Sequence, residues 1–462
     1  MRTVVVGNGM ASVRLVEELV ARGVRGLTVI GDEPHAPYNR ILLSAVLEGT
    51  HRPGALTLRS EAWYAAHGVD LRLGTRVVEL HTDRKIVELA DRSQVRYDRL
   101  VLATGTRPTI PPIRGIVRLD GQLHEKVHAF RSLDECVGLT EALPHAHRAV
   151  IVGGGLLGLQ VGRALAVRGL ETEVVEGGDH LLRSHVDARA GAVLARSLTR
   201  LGTGVYTGAR AVRLTEAGLQ LDNGIVLDTD LVVLCAGGRP AANLARRAGL
   251  AVHRGVVVDD HLRTSDPDIY AIGDCAEHAG RRGLPLAGFV PPAWEQAETL
   301  AAHFAGEGAS YAGTRTVARL RATDLEVAVF GDPEHTEGDV VEVTNPVKGS
   351  HRKLVVRDGV VEAGTLVGDL SRIGVIGQAF EHRTVLGDRE PSALLLPAAT
   401  APVGPVDLPD DAEVCACAGV TAGRIRACAS LDEVRETTRA STGCGGCAMT
   451  VDQLLQPQLV KG

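Results

Sequence analysis

At 462 residues the chain is too long for one hydrophobic core and predicts three or four domains. Its 45% hydrophobic content is ample for burial, and a net charge of −6 excludes the basic footprint of a nucleic-acid binder. No apolar run reaches the roughly 18 residues a membrane span needs, and Thr3–Val6 already reads as a buried strand, so neither membrane association nor a leader is expected. Eight cysteines, four of them in metal-type spacing, fit a reducing compartment better than a disulfide framework, which predicts a cytoplasmic protein.

The β-branched run Thr3-Val4-Val5-Val6 stops at Gly7-Asn8-Gly9-Met10-Ala11-Ser12. Apolar residues at Val13, Val16, Leu19 and Val20 then follow a helical period closed by Gly23, and a second strand ends at Gly31-Asp32-Glu33. Strand, glycine turn, helix, strand, acid is the order of a dinucleotide-binding βαβ unit. Gly7 permits the tight turn and Gly9 lets the backbone approach the pyrophosphate. The helix N-terminus then faces the phosphates, and Asp32 or Glu33 can bind the adenosine ribose. Ser12 stands where a third glycine is usual and is small enough for close helix–strand packing.

The pattern recurs. Ala149-Val150-Ile151-Val152 leads into Gly153-Gly154-Gly155-Leu156-Leu157-Gly158, a helix ends at Gly169, and Thr172-Glu173-Val174-Val175 leads to Glu176. Two fingerprints predict two dinucleotides. Glu176 would accept hydrogen bonds from a free ribose 2′-hydroxyl and repel a 2′-phosphate, which favours NADH over NADPH, with Arg183 close by as the opposing charge. Leu100-Val101-Leu102-Ala103-Thr104-Gly105 is an apolar strand breaking at a small-residue turn. The stretch from Leu231 to Gly237 echoes it, and a further strand ends in Gly273-Asp274.

These four motifs, in this order, resemble the two-dinucleotide-binding flavoprotein reductases. The resemblance implies an α/β fold of the glutathione-reductase type, with FAD in the first unit and NADH in the second. It implies FAD contacts from Gly7, Gly9, Met10, Ser12, Asp32, Glu33, Arg40, Thr104, Gly105, Asp274 and Trp294, Asp274 holding the ribityl chain. NAD contacts are implied for Gly153, Gly155, Leu157, Gly158, Glu176 and Gly237. Relatives usually have Glu where Gln160 stands, so its nicotinamide contact is open, and no acid–base catalytic residue is assigned. The helix beginning at Pro291-Pro292-Ala293-Trp294 would point its N-terminus at the flavin; Trp294 also suits a plain core role. The expected division is an FAD domain of residues 1–110 and 245–319, an NAD domain of 111–244, an interface domain of 320–390, a linker of 391–411 and a cysteine domain of 412–462.

The stretch Pro37-Tyr38-Asn39-Arg40-Ile41-Leu42-Leu43-Ser44 lacks the redox cysteine pair of glutathione-reductase-like enzymes. Cys136, Cys235, Cys275 and Cys428 are solitary and read as core or small packing residues. His124, His128, His145 and His147 read as surface-loop residues. Residues 320–381 form a β-rich module which in relatives covers the flavin and often mediates dimers, so a homodimer or hetero-oligomer is expected. The Pro- and Ala-rich stretch 391–411 reads equally as a mobile tether or as fixed extended chain.

The tail holds Cys415-Ala416-Cys417 and Cys444-Gly445-Gly446-Cys447. Four thiolates suit an iron–sulfur cluster, a zinc staple has the same ligand set, and the flavin reading favours iron. The tail resembles bacterioferritin-associated ferredoxin domains, which implies a [2Fe-2S] cluster on Cys415, Cys417, Cys444 and Cys447. The whole chain resembles the N-terminal half of NADH-dependent nitrite reductase large subunits and the electron-transfer subunits of bacterial assimilatory nitrate reductases. That implies an NADH-oxidising enzyme delivering single electrons to another polypeptide. The partner expected is a molybdenum nitrate reductase catalytic subunit, with a separate nitrite reductase or ferredoxin-type acceptor as the alternative. A reading of another class makes the tail a zinc-stapled or redox-sensing docking module.

Overall fold

A computed structural model describes residues 1–278, 289–387, 390–396, 408–415, 419–441 and 447–455. Each glycine motif opens a five-stranded parallel sheet. The first is ordered Ile269–Ala271, Arg99–Leu102, Thr3–Val6, Leu27–Ile30, Asp70–Arg72. The second runs Thr203–Thr207, Glu171–Glu176, Arg148–Val152, Leu231–Leu234, Val127–Ala129. Valine and leucine fill the central strands because a parallel sheet is covered on both faces; Val5, Val29 and Val101 in one, and Val150, Ile151 and Val233 in the other, are fully buried. Each fold also carries a three-stranded antiparallel meander, over residues 77–96 in the first and 211–227 in the second.

The two folds are laced together. The first sheet takes its edge strand Ile269–Ala271 from beyond the second fold, and a two-stranded ribbon pairs Thr106–Pro108 with Gly238–Pro240 where the chain passes between them. The echo between the Gly105 and Gly237 turns thus has a structural reason: both strands run out into that ribbon. A third sheet, antiparallel, is ordered Val317–Ala322, Leu325–Phe330, Val360–Val367, Ser350–Arg357, Asp339–Asn345. Helix Ile373–Glu381 covers one face through Phe330, Leu354, Ile376 and Phe380. Leu320 and Val327 join the core of the second fold beside Leu159, Leu165 and Leu194.

The cysteine tail is a small unit in which Glu413–Cys415 pairs antiparallel with Val420–Thr421, followed by helices Ala422–Arg426, Leu431–Thr437 and Ala448–Leu455. Its core is Val420, Ile425, Val434 and Val451. Both described ends of the 391–411 stretch are packed. Leu395 is fully buried on the third sheet, where Arg352 donates to its carbonyl at 2.9 Å, and Arg426 donates to the Leu408 carbonyl at 2.6 Å. Residues 397–407 lie outside the described residues.

Two expectations need correction. His128 is not on a surface loop but half-buried in the edge strand Val127–Ala129, where burial pushes its imidazole below the ordinary range. Cys428 lies half-buried at the margin of the tail core rather than inside it. Among the described residues no helix is long and apolar enough to cross a membrane.

Candidate dinucleotide and cluster sites

The two glycine turns are built alike. Gly7 has φ +111°, and a Cβ there would come within 2.2 Å of the Ala103 carbonyl oxygen. Gly153 has φ +118°, and its Cβ would meet the Cys235 carbonyl oxygen at 2.4 Å. Each turn is thus pressed against the end of the neighbouring strand, in a conformation that L side chains rarely adopt. Gly9 and Gly155 have open space where a side chain would stand, so a diphosphate can approach the backbone. They are the N-caps of helices Met10–Ala21 and Leu156–Val167, and neither cap supplies a side-chain hydrogen bond. The first-turn N–H groups, which a helix leaves without intrahelical partners, remain available to an anion. Met10 and Leu157 lie half-buried in those first turns, with Gln160 half-buried one turn on from Leu157. Gly158 is dictated by packing, because a Cβ there would lie 1.9 Å from the Gly153 carbonyl oxygen. Its counterpart Ser12 is fully buried, and among the described residues its hydroxyl has no hydrogen-bond partner.

The acids differ. Glu176 is pinned at its strand end by the Gly154 N–H at 2.8 Å and the Gly178 N–H at 2.7 Å, with the Arg183 guanidinium at 3.3 Å. In the first fold the parallel register pairs Val6 with Ile30 just as it pairs Val152 with Val175, so Gly31, not an acid, stands where Glu176 stands. Of the two predicted acids, Asp32 is exposed and 3.5 Å from Arg76. Glu33 turns inward, accepting from the Tyr38 hydroxyl at 2.7 Å and pairing with Arg40.

The far end of the first site is assembled from three distant segments. Asp274 sits in the turn Gly273–Cys275, and the buried Gln296 side chain accepts from the Gly273 N–H at 2.7 Å. Arg131, from the loop after Val127–Ala129, donates to the Asp274 carboxylate at 3.2 Å. Burial lifts the Asp274 carboxyl above the ordinary aspartate range against the opposing pull of Arg131 and Arg40. Arg40 in turn donates to the Arg131 carbonyl oxygen at 3.3 Å. Thr104 donates to the Ala241 carbonyl oxygen, and Gly105 and Gly237 both turn with positive φ. Helix Val290–Phe304 begins without a side-chain cap and carries Trp294, which is 3% exposed and whose indole N–H has no partner among the described residues. The glycine cradles, the uncapped helices and the half-buried Asp274–Arg131 pair fit extended dinucleotides such as FAD and NAD. Sequence reading missed Arg131. The capping box Ser132–Glu135 marks the helix start beside it, but nothing local announces a partner 143 positions away.

The three cysteines of the dinucleotide folds are unsuited to redox relay. Burial pushes the Cys136 thiol up to about 11 and that of Cys235 to about 12, and raises Cys275, whose sulfur lies 3.4 Å from the Leu102 carbonyl oxygen. A thiol so shifted is scarcely ionised near neutrality. In the tail, Cys415 and Cys447 are both buried, and the Ser441 N–H donates to the Cys447 sulfur at 3.2 Å. That contact suits a thiolate ligand. Cys417 and Cys444 lie outside the described residues.

Residues 1–299 match the family model described as pyridine nucleotide-disulphide oxidoreductase, and residues 413–457 match the BFD-like [2Fe-2S] binding domain. The tail is therefore of the [2Fe-2S] type rather than a zinc staple. A nitrite reductase [NAD(P)H] of Bacillus subtilis (strain 168) is 34% identical over 99% of this chain and 57% of its own length. The assimilatory nitrate reductase electron transfer subunit of the same organism is 31% identical over 98% of this chain and 59% of its own length. The chain spans about half the length of the curated relatives it matches. Among solved structures, the covalent putidaredoxin reductase–putidaredoxin complex aligns with a TM-score of 0.77 at 26% identity, covering 85% of this chain and 95% of that one. A ferredoxin reductase from Rhodopseudomonas palustris gives 0.72 at 28% identity, covering 80% and 91%. With two glycine-turn folds, a half-buried Asp274 paired to Arg131 and a family match over residues 1–299, the chain belongs to the pyridine nucleotide-disulphide oxidoreductase family and is an FAD- and NAD-binding oxidoreductase with a [2Fe-2S] domain over residues 413–457.

Proposed function

We propose that this chain oxidises NADH and delivers electrons singly, through FAD and a [2Fe-2S] cluster, to the catalytic subunit of a molybdenum-containing assimilatory nitrate reductase in the cytoplasm. The observation that carries the reading is the combination of two dinucleotide cradles with buried, inert thiols and a cysteine domain on the same chain. Electrons then have no dithiol to pass through and leave by way of the tail. We assign residues 1–110 and 245–319 to the FAD domain, 111–244 to the NAD domain, 320–390 to an interface domain, 391–411 to the linker and 412–462 to the cluster domain.

The residues divide the work. Gly7, Gly9 and the Met10 turn bind the FAD pyrophosphate, Ser12 sets the helix–strand spacing, Asp32 and Glu33 serve the adenosine ribose, and Thr104 and Gly105 shape the adjoining turn. Asp274 with Arg131 and Arg40 orients the ribityl end, and the uncapped helix bearing Trp294 presents its positive end toward the flavin. Gly153, Gly155, Leu157 and Gly158 bind the NADH pyrophosphate, Glu176 binds its ribose, and Gly237 and Gln160 border the nicotinamide end. Hydride transfer requires stacking and orientation rather than an acid or base. Bound FAD supplies the conversion between a two-electron donor and one-electron acceptors. Cys415, Cys417, Cys444 and Cys447 hold the cluster.

The partner rests on kinship with the assimilatory nitrate reductase electron transfer subunit, at 31% identity. The similar kinship with nitrite reductases supports a separate nitrite reductase as the second reading. Reconstitution decides between them. Anaerobic protein mixed with NADH and a nitrate reductase catalytic subunit should form nitrite, and Cys444→Ser should abolish nitrite formation while NADH oxidation by ferricyanide survives. Rapid NADH oxidation without nitrite, with a subunit active on artificial donors, would overturn the nitrate reductase assignment.

A further inference from the structure

The cysteine domain does not hang free. The loop after helix Leu431–Thr437 inserts Arg439 between the two helices that frame the first dinucleotide fold. Its guanidinium pairs with Glu17 of helix Met10–Ala21 and lies 5.9 Å from the ring centre of Trp294. The side chains of Arg439 and Glu17 are 8% and 10% exposed, so the pair is sealed between the two units. Arg59 closes the contact from the other side, 2.6 Å from Glu17, with a hydrogen bond of 3.4 Å to the Glu436 carbonyl oxygen. Glu17 is thus shared by one arginine from its own fold and one from the cysteine domain.

The loop also reaches the cluster ligands. Arg439 and Ser441 both hold positive φ, +67° and +62°, and the Thr438 hydroxyl accepts from the Ala440 N–H at 3.1 Å. Two residues beyond Arg439, the Ser441 N–H donates to the Cys447 sulfur. One short turn therefore touches the tryptophan of the uncapped helix at one end and a cluster cysteine at the other. Buried ion pairs are screened little by salt; removing Glu17 would take the shared carboxylate from both Arg439 and Arg59, while removing Arg439 would leave Glu17 paired with Arg59 across the seam.

We propose that Arg439 is a positioning residue that docks the cluster domain on the flavin fold through Glu17 and Trp294, and that electrons pass from flavin to cluster in this docked pose. The second half rests on the relay proposed above. NADH supplies two electrons to the flavin, each cluster visit removes one, and the partner takes it onward. An undocked domain remains tethered, so transfer slows without stopping.

Four proteins test this: wild type, Glu17→Arg, Arg439→Glu and the combined swap. The swap keeps two arginines around one glutamate, since Glu at 439 would face both Arg59 and Arg at 17. Glu17→Arg leaves the cluster domain's own sequence untouched, so a misfolded cluster cannot explain its effect. In anaerobic stopped-flow, NADH should reduce the flavin at one rate in all four, while cluster bleaching slows at least about tenfold in each single variant and returns to within about threefold of wild type in the swap. Hydrogen exchange at residues 434–441, measured with and without cofactors, should quicken in the single variants and be restored in the swap. Unchanged exchange and cluster reduction in both single variants would overturn the docking. A wild-type cluster that stays oxidised while the flavin is reduced would overturn the relay alone, and exchange would still decide the docking.

Discussion

The two dinucleotide folds use one architecture and solve one crowding problem in opposite ways. In the second fold the loop residue Gly154 is bare, and a Cβ there would come within 2.9 Å of the Glu176 Cβ. In the first fold the loop carries Asn8, and the strand end is bare instead: a Cβ on Gly31 would meet the Asn8 Cβ at 2.7 Å. One position of each facing pair must be glycine, and which one decides where the acid stands. With the loop bare, the carboxylate occupies the strand end and is held by the loop's own N–H. With the strand end bare, the acid moves one or two residues on, where it meets Arg76 or the Tyr38–Arg40 pair. The second fold thus has a fixed, pre-paired carboxylate, while the first spreads its acids among neighbouring arginines.

The features common to both folds should be the least forgiving. Gly7→Ala and Gly153→Ala each combine a left-handed backbone with a Cβ driven into a carbonyl, strain and overpacking together worth about 3 kcal/mol or more. Gly7→Ala should purify nearly free of flavin with a lowered melting temperature. Gly153→Ala should keep its flavin and lose NADH-driven reduction while dithionite still bleaches it. Equal flavin loss in both variants would mean that the folds do not divide the nucleotides.

Much of this was legible because each fingerprint is local: strand, turn and helix lie within a few dozen residues, and Gly7, Gly9, Gly153, Gly155 and Gly158 could be assigned by turn chemistry alone. What was hidden depends on long closure. Arg131 reaches Asp274, and Arg439 reaches Glu17, 422 positions away, and neither arginine stands in a pattern that distinguishes it from its many neighbours. The Gly31–Asn8 exchange was hidden differently. Both residues were visible, but only the register of the parallel strands shows that Gly31 is the counterpart of Glu176. The packing of Leu395 was obscured by composition, since a Pro- and Ala-rich stretch signals the absence of helix and strand, not the absence of contacts.

The reciprocal glycine can be tested directly. Gly31→Ala should destabilise the first fold by about 2 kcal/mol through the Asn8 contact, since overpacking a tight site costs about 1–3 kcal/mol. Asn8→Gly should relieve most of that cost. A double-mutant cycle in urea should therefore show a coupling of at least about 1 kcal/mol, the size expected for residues in contact. Additive effects would mean that crowding does not tie these two positions together and that the displaced acid has another cause.

The smallest effect expected is also the one that reads specificity. Glu176 has two parts to play in the second fold: in the function proposed above it offers its carboxylate to a ribose hydroxyl, and in the structure it pairs with Arg183, which is 61% exposed and 3.3 Å away. Glu176→Ala removes the acceptor, so kcat/KM for NADH should fall about tenfold, the worth of roughly one hydrogen bond to a charged group. It also releases Arg183, which can then face a 2′-phosphate, so activity with NADPH should rise rather than merely survive. Loss of the repelling carboxylate and gain of the freed arginine are separable. In Glu176→Ala/Arg183→Ala the NADH defect should persist while the gain with NADPH disappears. If the double variant retained that gain, repulsion by Glu176 alone would set the preference, and Arg183 would be a surface charge that happens to pair with it.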